Sequence, residues 1–209
     1  MKKNYTVKSV FKKEIDVEKS RFIGILAPLS YKEQMKDFIL NVKKEYPNAR
    51  HYCYALKTGD YIKYSDDGEP QGTAGKPILN VILNNNLNDV VLVVVRYFGG
   101  TLLGSGRLLR SYVNSTEEVV KSAILFQQVP KVKYRVEIEA DTYNIFLNYL
   151  NKKHFLITNT SFNDKIIIDF LTDENFDEKI EDIFYGKIVI IGKVNMIFEE
   201  KVDGTREEK

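Results

Sequence analysis

Apolar positions along the chain change their period several times, and each change marks an element. Thr6 to Val17 and Arg21 to Ala27 read as two strands about a turn at Glu18 and Lys19, the second stopped by Pro28, which predicts a hairpin. Tyr31, Met35, Phe38, Ile39 and Val42 then recur at helical spacing up to Tyr46 and Pro47, and Ser30 followed by Glu33 predicts a capping box at the helix start. Arg50 to Lys57 alternates as a strand, Thr58-Gly59-Asp60 turns, and Tyr61 to Tyr64 returns beside it. The segment SDDGEPQGTAGKP, residues 65–77, is too rich in Gly and Pro for regular structure and predicts a loop of fixed shape. A short helix from Pro77 to Leu83 and an asparagine-rich turn lead to Val90–Val95, a continuous apolar run expected of a buried strand. Glycine-rich backbone follows, and then a long helix whose inward face carries Leu109, Tyr112, Val113, Thr116, Val119, Val120 and Ala123.

The pattern restarts after the segment QQVPK, residues 127–131. Lys133 to Glu139 alternates as a strand, and Asp141 can cap a helix with Tyr143, Phe146, Leu147 and Leu150 inward. Phe155 to Phe162 and Lys165 to Leu171 read as two further strands. A second helix capped by Thr172 and carrying Phe176, Ile180, Ile183 and Phe184 ends at Gly186, before a last strand from Lys187 to Phe198. The order β-α-β-β-α-β is that of a ferredoxin-like split unit. These readings predict an α+β protein of two domains, residues 1–130 and 131–209, with a charged, frayed tail from Glu199.

Composition narrows the class. Of 209 residues, 44% are hydrophobic and 29% charged, ordinary values for a globular chain, and one cysteine, Cys53, precludes an internal disulfide framework. No apolar run is long enough for a membrane span and the N-terminus lacks the apolar core of a signal peptide, so the expected compartment is the cytoplasm, with no membrane partner. The net charge of +2 divides unevenly: residues 1–130 carry 19 Lys+Arg against 13 Asp+Glu, and residues 131–209 carry 12 against 16. The first domain is therefore the candidate for a polyanion.

Candidate chemistry gathers at two loops. Gly99, Gly100, Gly104 and Gly106 let backbone N–H groups approach an anion ahead of a helix start, and Lys76, Arg96, Arg107 and Arg110 flank them as phosphate-contacting cations. In the other loop Asp66, Asp67 and Glu69 either hold a hard cation or cap the N–H groups of Gly72, Thr73 and Ala74. Their spacing matches no established metal loop, so no metal and no cofactor is assigned. His51 and Cys53 share one strand face but point in parallel, an incomplete catalytic pair. Arg50, Tyr52 and Tyr54 on the other face interleave charge with aromatic surface, which can stack bases.

With these motifs placed, SDDGEPQGTAGKP and VVVRYFGGTLLGSGRLLRSY (93–112) resemble the signature of the IMPACT/YigZ family, as do ARHYCYA (49–55) and KSRF (19–22). The resemblance covers nearly the whole chain. It implies an N-terminal domain with the ribosomal-protein-like fold found in an elongation factor G domain, and a C-terminal ferredoxin-like domain similar to others of that factor. It also implies a role among translation regulators. Family members commonly read glycine-glycine where this chain has Gly106-Arg107, and the added cation points toward an extended polyanion.

Three readings of function follow. The first is a translation-associated regulator binding RNA or the ribosome through the basic glycine-loop surface. The second is an enzyme acting on a phosphorylated or peptide-like small molecule, with Asp66, Asp67, Glu69 or His51 in acid/base or metal roles, although no complete catalytic constellation is present. The third is an adaptor for a protein partner. Oligomeric state is not legible in the sequence.

Overall fold

A computed structural model describes residues 3–173, 180 and 183–202. The chain is α+β and divides into two compact units, Met1–Gln128 with Glu199–Lys209, and Val129–Phe198.

The first unit is built on an antiparallel sheet ordered β2-β3-β6-β4-β5, from β2 (Phe11–Val17), β3 (Ser20–Pro28), β4 (His51–Thr58), β5 (Tyr61–Ser65) and β6 (Val90–Tyr97). The short strand β1 (Asn4–Thr6) lies outside it and pairs with Phe126–Gln128, the first residues of β7 (Phe126–Ile138). The strand expected over Thr6–Val17 is thus broken: Val7 drops into the core, and exposed Lys8, Ser9 and Val10 carry the chain to a different sheet. Glu18 and Lys19 both take positive φ, 45° and 65°, the two-residue turn whose twist suits a hairpin.

Strand β6 is buried on both sides, which explains its unbroken apolar run. Val90, Leu92 and Val94 pack with Phe22, Leu26 and Cys53 beneath α2 (Gly75–Asn84) and α3 (Ser105–Ser122). Val91, Val93 and Val95 pack with Ile23, Ile25, Met35 and Val42 on the side of α1 (Gln34–Glu45). Two details correct the sequence reading. Helix α1 starts at Gln34, so the Ser30–Glu33 capping box is not made; Tyr31 is exposed, and its N–H donates to Gln34 Oε1 at 3.1 Å. In α3 the buried leucine is Leu108 rather than Leu109, because the face packed on the sheet also takes in Ser111 and Ser115, small polar residues that apolar periodicity passes over.

The second unit orders its strands β10-β7-β9-β8, with β8 (Leu156–Phe162), β9 (Ile166–Thr172) and β10 (Ile188–Lys201). Helix α4 (Tyr143–Lys152) lays Phe146 and Leu150 against Tyr134, Val136, Ile168 and Phe170. Placing β9 between β7 and β8 is the split β-α-β arrangement. Asp141 does not cap α4; it pairs with Lys187 at 2.5 Å. Of the predicted second helix, Phe176 lies outside the described residues; Ile180 and Phe184 are buried, while Ile183 is exposed. Strand β10 runs to Lys201, past the expected end at Phe198, and Val202 N–H donates to Leu125 O at 3.0 Å. The segment from Glu199 therefore groups with the first unit, where the sequence boundary placed it in the second; the rest of the tail lies outside the described residues.

Candidate functional site

Cross-strand register builds the site. Arg96 on β6 sits directly between Phe22 on β3 and His51 on β4, so the three side chains share the face covered by α2 and α3. The acidic loop brings Glu69 down onto this row. Glu69 Oε1 accepts from Arg96 Nη1 at 2.6 Å and from the Tyr112 hydroxyl of α3 at 2.8 Å, and Oε2 lies 3.7 Å from His51 Nε2. The Arg96 guanidinium lies against the rings of Phe22 and Phe98, at 5.3 and 5.7 Å from their centroids. Its Nε is buried with no hydrogen-bond partner, the position expected of a cation slotted between aromatic faces.

The remaining acidic-loop residues are bonded inward. The Asp66 carboxylate accepts from the N–H groups of Gly72, Ala74 and Gly75 at 2.9, 3.0 and 2.8 Å, satisfying donors at the start of α2. Capping is therefore the role of this carboxylate, with Gly75 in the place expected for Thr73. Thr73 Oγ1 donates to Pro70 O at 2.6 Å. Asp67 Oδ2 accepts from Tyr52 N–H at 2.7 Å, and its carbonyl accepts from His51 Nδ1 at 2.8 Å, which puts a proton on that nitrogen. A methyl group at Gly75 would stand 2.6 Å from the Ser65 carbonyl carbon, so only glycine permits this closure. Among the described residues no group of three or more His, Cys, Asp and Glu is arranged to hold a metal ion.

Cys53 lies below His51 on the same face, its Sγ 2.9 Å from Asp66 O and 3.3 Å from the Tyr112 hydroxyl. Burial pushes the Cys53 thiol well above its ordinary range and does the same to the Tyr112 phenol. Both stay protonated as hydrogen-bond donors, so the pair His51/Cys53 provides no thiolate nucleophile.

The glycine loop is assembled differently. A side chain at Gly99 would overlap the backbone of Lys19 and Ser20, and Gly99 N–H donates to Ser20 Oγ at 3.2 Å. This seats the loop on the β2–β3 turn. Gly100 and Gly104 take φ of 87° and 72° with open space beside them, and Gly106 is likewise exposed. The first bond of α3 runs from Leu108 N–H to Gly104 O; no side chain caps the helix and no acidic residue occupies its first turn. Ser105, Gly106 and Arg107 thus precede the first intrahelical bond, the usual location of unfilled donors.

The expected cations part company here. Arg96 is buried and carboxylate-bound, which corrects its reading as a phosphate contact. Arg107 is half exposed and paired with Glu18 of the hairpin turn. Lys76 and Arg110 are exposed, and neither forms an ion pair among the described residues. Arg50 is exposed, but Tyr52 donates to Tyr46 O at 2.6 Å under Lys43, and Tyr54 packs in the α1-side core. The expected base-stacking stripe is therefore covered by a helix. Two participants have no functional reading from sequence: Tyr112, whose only signal is its place on the inward face of α3, and Phe98, whose signal is an aromatic set between a strand end and two glycines.

Comparison with known proteins agrees with this architecture. The Impact N-terminal domain matches residues 18–120. An IMPACT family member of Haemophilus influenzae is 33% identical over 186 residues, spanning 85% of this chain and 90% of that protein. The IMPACT family member YvyE of Bacillus subtilis is 33% identical over 190 residues, 88% of each. A crystal structure titled as a hypothetical protein superposes with a TM-score of 0.60 at 27% identity, covering 91% of this chain and 97% of the other.

Proposed function

This chain belongs to the IMPACT family, and we propose that it is a translation-associated regulator that binds RNA, free or within the ribosome, at the surface around the glycine loop. The observation that carries this reading is the division of labour among the cations. Arg96 is consumed inside the fold, whereas Lys76 and Arg110 face solvent without carboxylate partners among the described residues. Arg110 reaches Gly106, and Gly100, Gly104 and Gly106 leave backbone uncovered at the start of α3. Uncovered donors and unpaired cations on an open surface suit an extended polyanion.

The inward bonding of the acidic loop favours binding over turnover. Asp66, Asp67 and Glu69 already accept from backbone and side-chain donors, and Cys53 is buried and protonated.

The test is titration of a structured RNA with the natural protein and a Lys76→Glu/Arg110→Glu variant at about 50 and about 200 mM salt. Binding that weakens with salt is expected, with the variant weaker and its salt slope shallower by about one for each phosphate it no longer neutralises. No binding at either salt would remove the proposal. A partner protein retained after nuclease treatment, with no RNA bound, would favour the adaptor reading instead.

A further inference from the structure

Phe98 leaves the end of β6 in an unusual position for a phenylalanine of a strand. The residue is 44% exposed, although every residue of β6 before Tyr97 is buried. The ring is nevertheless held. The Arg96 guanidinium lies against it at 5.7 Å, and on its other side in sequence Gly99 is fixed to the hairpin turn, its N–H on Ser20 Oγ and its backbone too close to Lys19 for any side chain. Gly99 and Gly100 add no side chains next to it. The neighbouring Tyr97 is not free in the same way, because Arg21 covers its ring at 5.1 Å and its hydroxyl donates to Pro47 O at 3.0 Å.

A fixed, half-exposed aromatic ring backed by a cation is a stacking platform for a flat ligand. The cations around it decide which flat ligand. Lys19, on which Gly99 rests, adjoins Glu18, and Glu18 holds Arg107; the turn that seats Phe98's loop therefore also reaches the first turn of α3. Aromatic stacking surface and phosphate-directed charge converge on one hairpin turn, the combination that binds bases and backbone together. A paired base in a duplex has both faces occupied and offers nothing to the ring.

Resting on the RNA reading above, we infer that Phe98 stacks on an unpaired base, so that the RNA recognised at this surface is single-stranded where it crosses the glycine loop. The chain has no tryptophan, which makes Phe98→Trp the sole indole and a reporter at the position in question. Three probes separate the contributions: oligouridine, an A-form RNA duplex of equal length, and inorganic polyphosphate. Oligouridine is expected to quench the Phe98→Trp emission, and the duplex and polyphosphate are not. Phe98→Leu, which keeps apolar bulk without a π face, should bind oligouridine on the order of tenfold more weakly while binding polyphosphate as the natural protein does. Unchanged thermal unfolding of both variants establishes that they are folded.

If the natural protein binds oligouridine and Phe98→Leu binds it equally well, the stacking role falls and the RNA reading stands. Quenching by polyphosphate equal to that by oligouridine also overturns it. Absence of RNA binding by the natural protein removes both; so does a protein partner that Phe98→Leu alone fails to retain in the absence of RNA binding.

Discussion

Glu69 and Arg96 form an ion pair whose side chains are only 4% and 6% exposed, joined at 2.6 Å across the sheet face beneath α3. Removing one partner leaves the other charge buried without compensation. Glu69→Ala is expected to cost about 3–5 kcal/mol, measured by urea unfolding, with the Tyr112 hydroxyl losing its acceptor as well. Replacing both charges, as in Glu69→Leu/Arg96→Met, should cost less than Glu69→Ala alone, because no orphaned charge remains. A double variant as unstable as the single one would mean that the pair's geometry, rather than its charge balance, holds the loop.

Asp66 serves three backbone donors at the start of α2, so Asp66→Ala should destabilise by about 2 kcal/mol or more. Amide exchange at Gly72, Ala74 and Gly75 should accelerate ahead of exchange in α1. Uniform acceleration across both helices would show instead that the whole unit loosens.

Stability should fall in alkali. Burial raises the Cys53 thiol above its ordinary value of 9.0 and the Tyr112 phenol above 10.0. The folded state keeps both protons where the unfolded state releases them, so unfolding becomes more favourable as pH rises past 9 and then past 10. One retained proton corresponds to a slope of about 1.4 kcal/mol per pH unit. Cys53→Ala should remove the part that begins near pH 9, as read from urea midpoints between neutral pH and about pH 11. The same burial predicts that a thiol reagent labels the native protein far more slowly than the urea-unfolded chain.

Glu18 pairs with Arg107 through Nη1 and competes with an RNA phosphate for that guanidinium. Glu18→Gln should therefore tighten RNA binding by several-fold at low salt, with little change in stability because an exposed pair contributes only about 0–1 kcal/mol. Unaltered RNA affinity in Glu18→Gln would place Arg107 outside the binding surface.

Much of this is legible in the chain's periodicity. The hairpin at Glu18-Lys19, the two-faced strand over Val90–Val95 and the β-α-β-β order of the second unit all follow from local pattern and turn chemistry. Arg96 is not legible as a core residue. It ends an apolar run, where a cation usually meets water, and its burial is decided by Glu69, 27 residues away in sequence. The stripe of Tyr52 and Tyr54 reads as open because alternation reveals that a strand has two faces, not that α1 covers one of them. Periodicity misplaces Leu109 and Tyr31 for a simpler reason. Tyr31 precedes the first residue of α1, and Leu109 lies one position, about 100° of helical turn, from Leu108 on a buried face that also carries Ser111 and Ser115.

Gly99 meets the β2–β3 turn backbone to backbone, with no side chain from the loop between them. Apart from the Ser20 hydroxyl that accepts from Gly99 N–H, the loop is seated by main chain alone. Charges at 107 and 110 and the ring at 98 can be exchanged one at a time while the Gly99 seat stays in place. Under the proposed RNA-binding reading, recognition can drift in sequence without the fold having to follow, and relatives with different cations at these positions should differ in what they bind before they differ in how they are built.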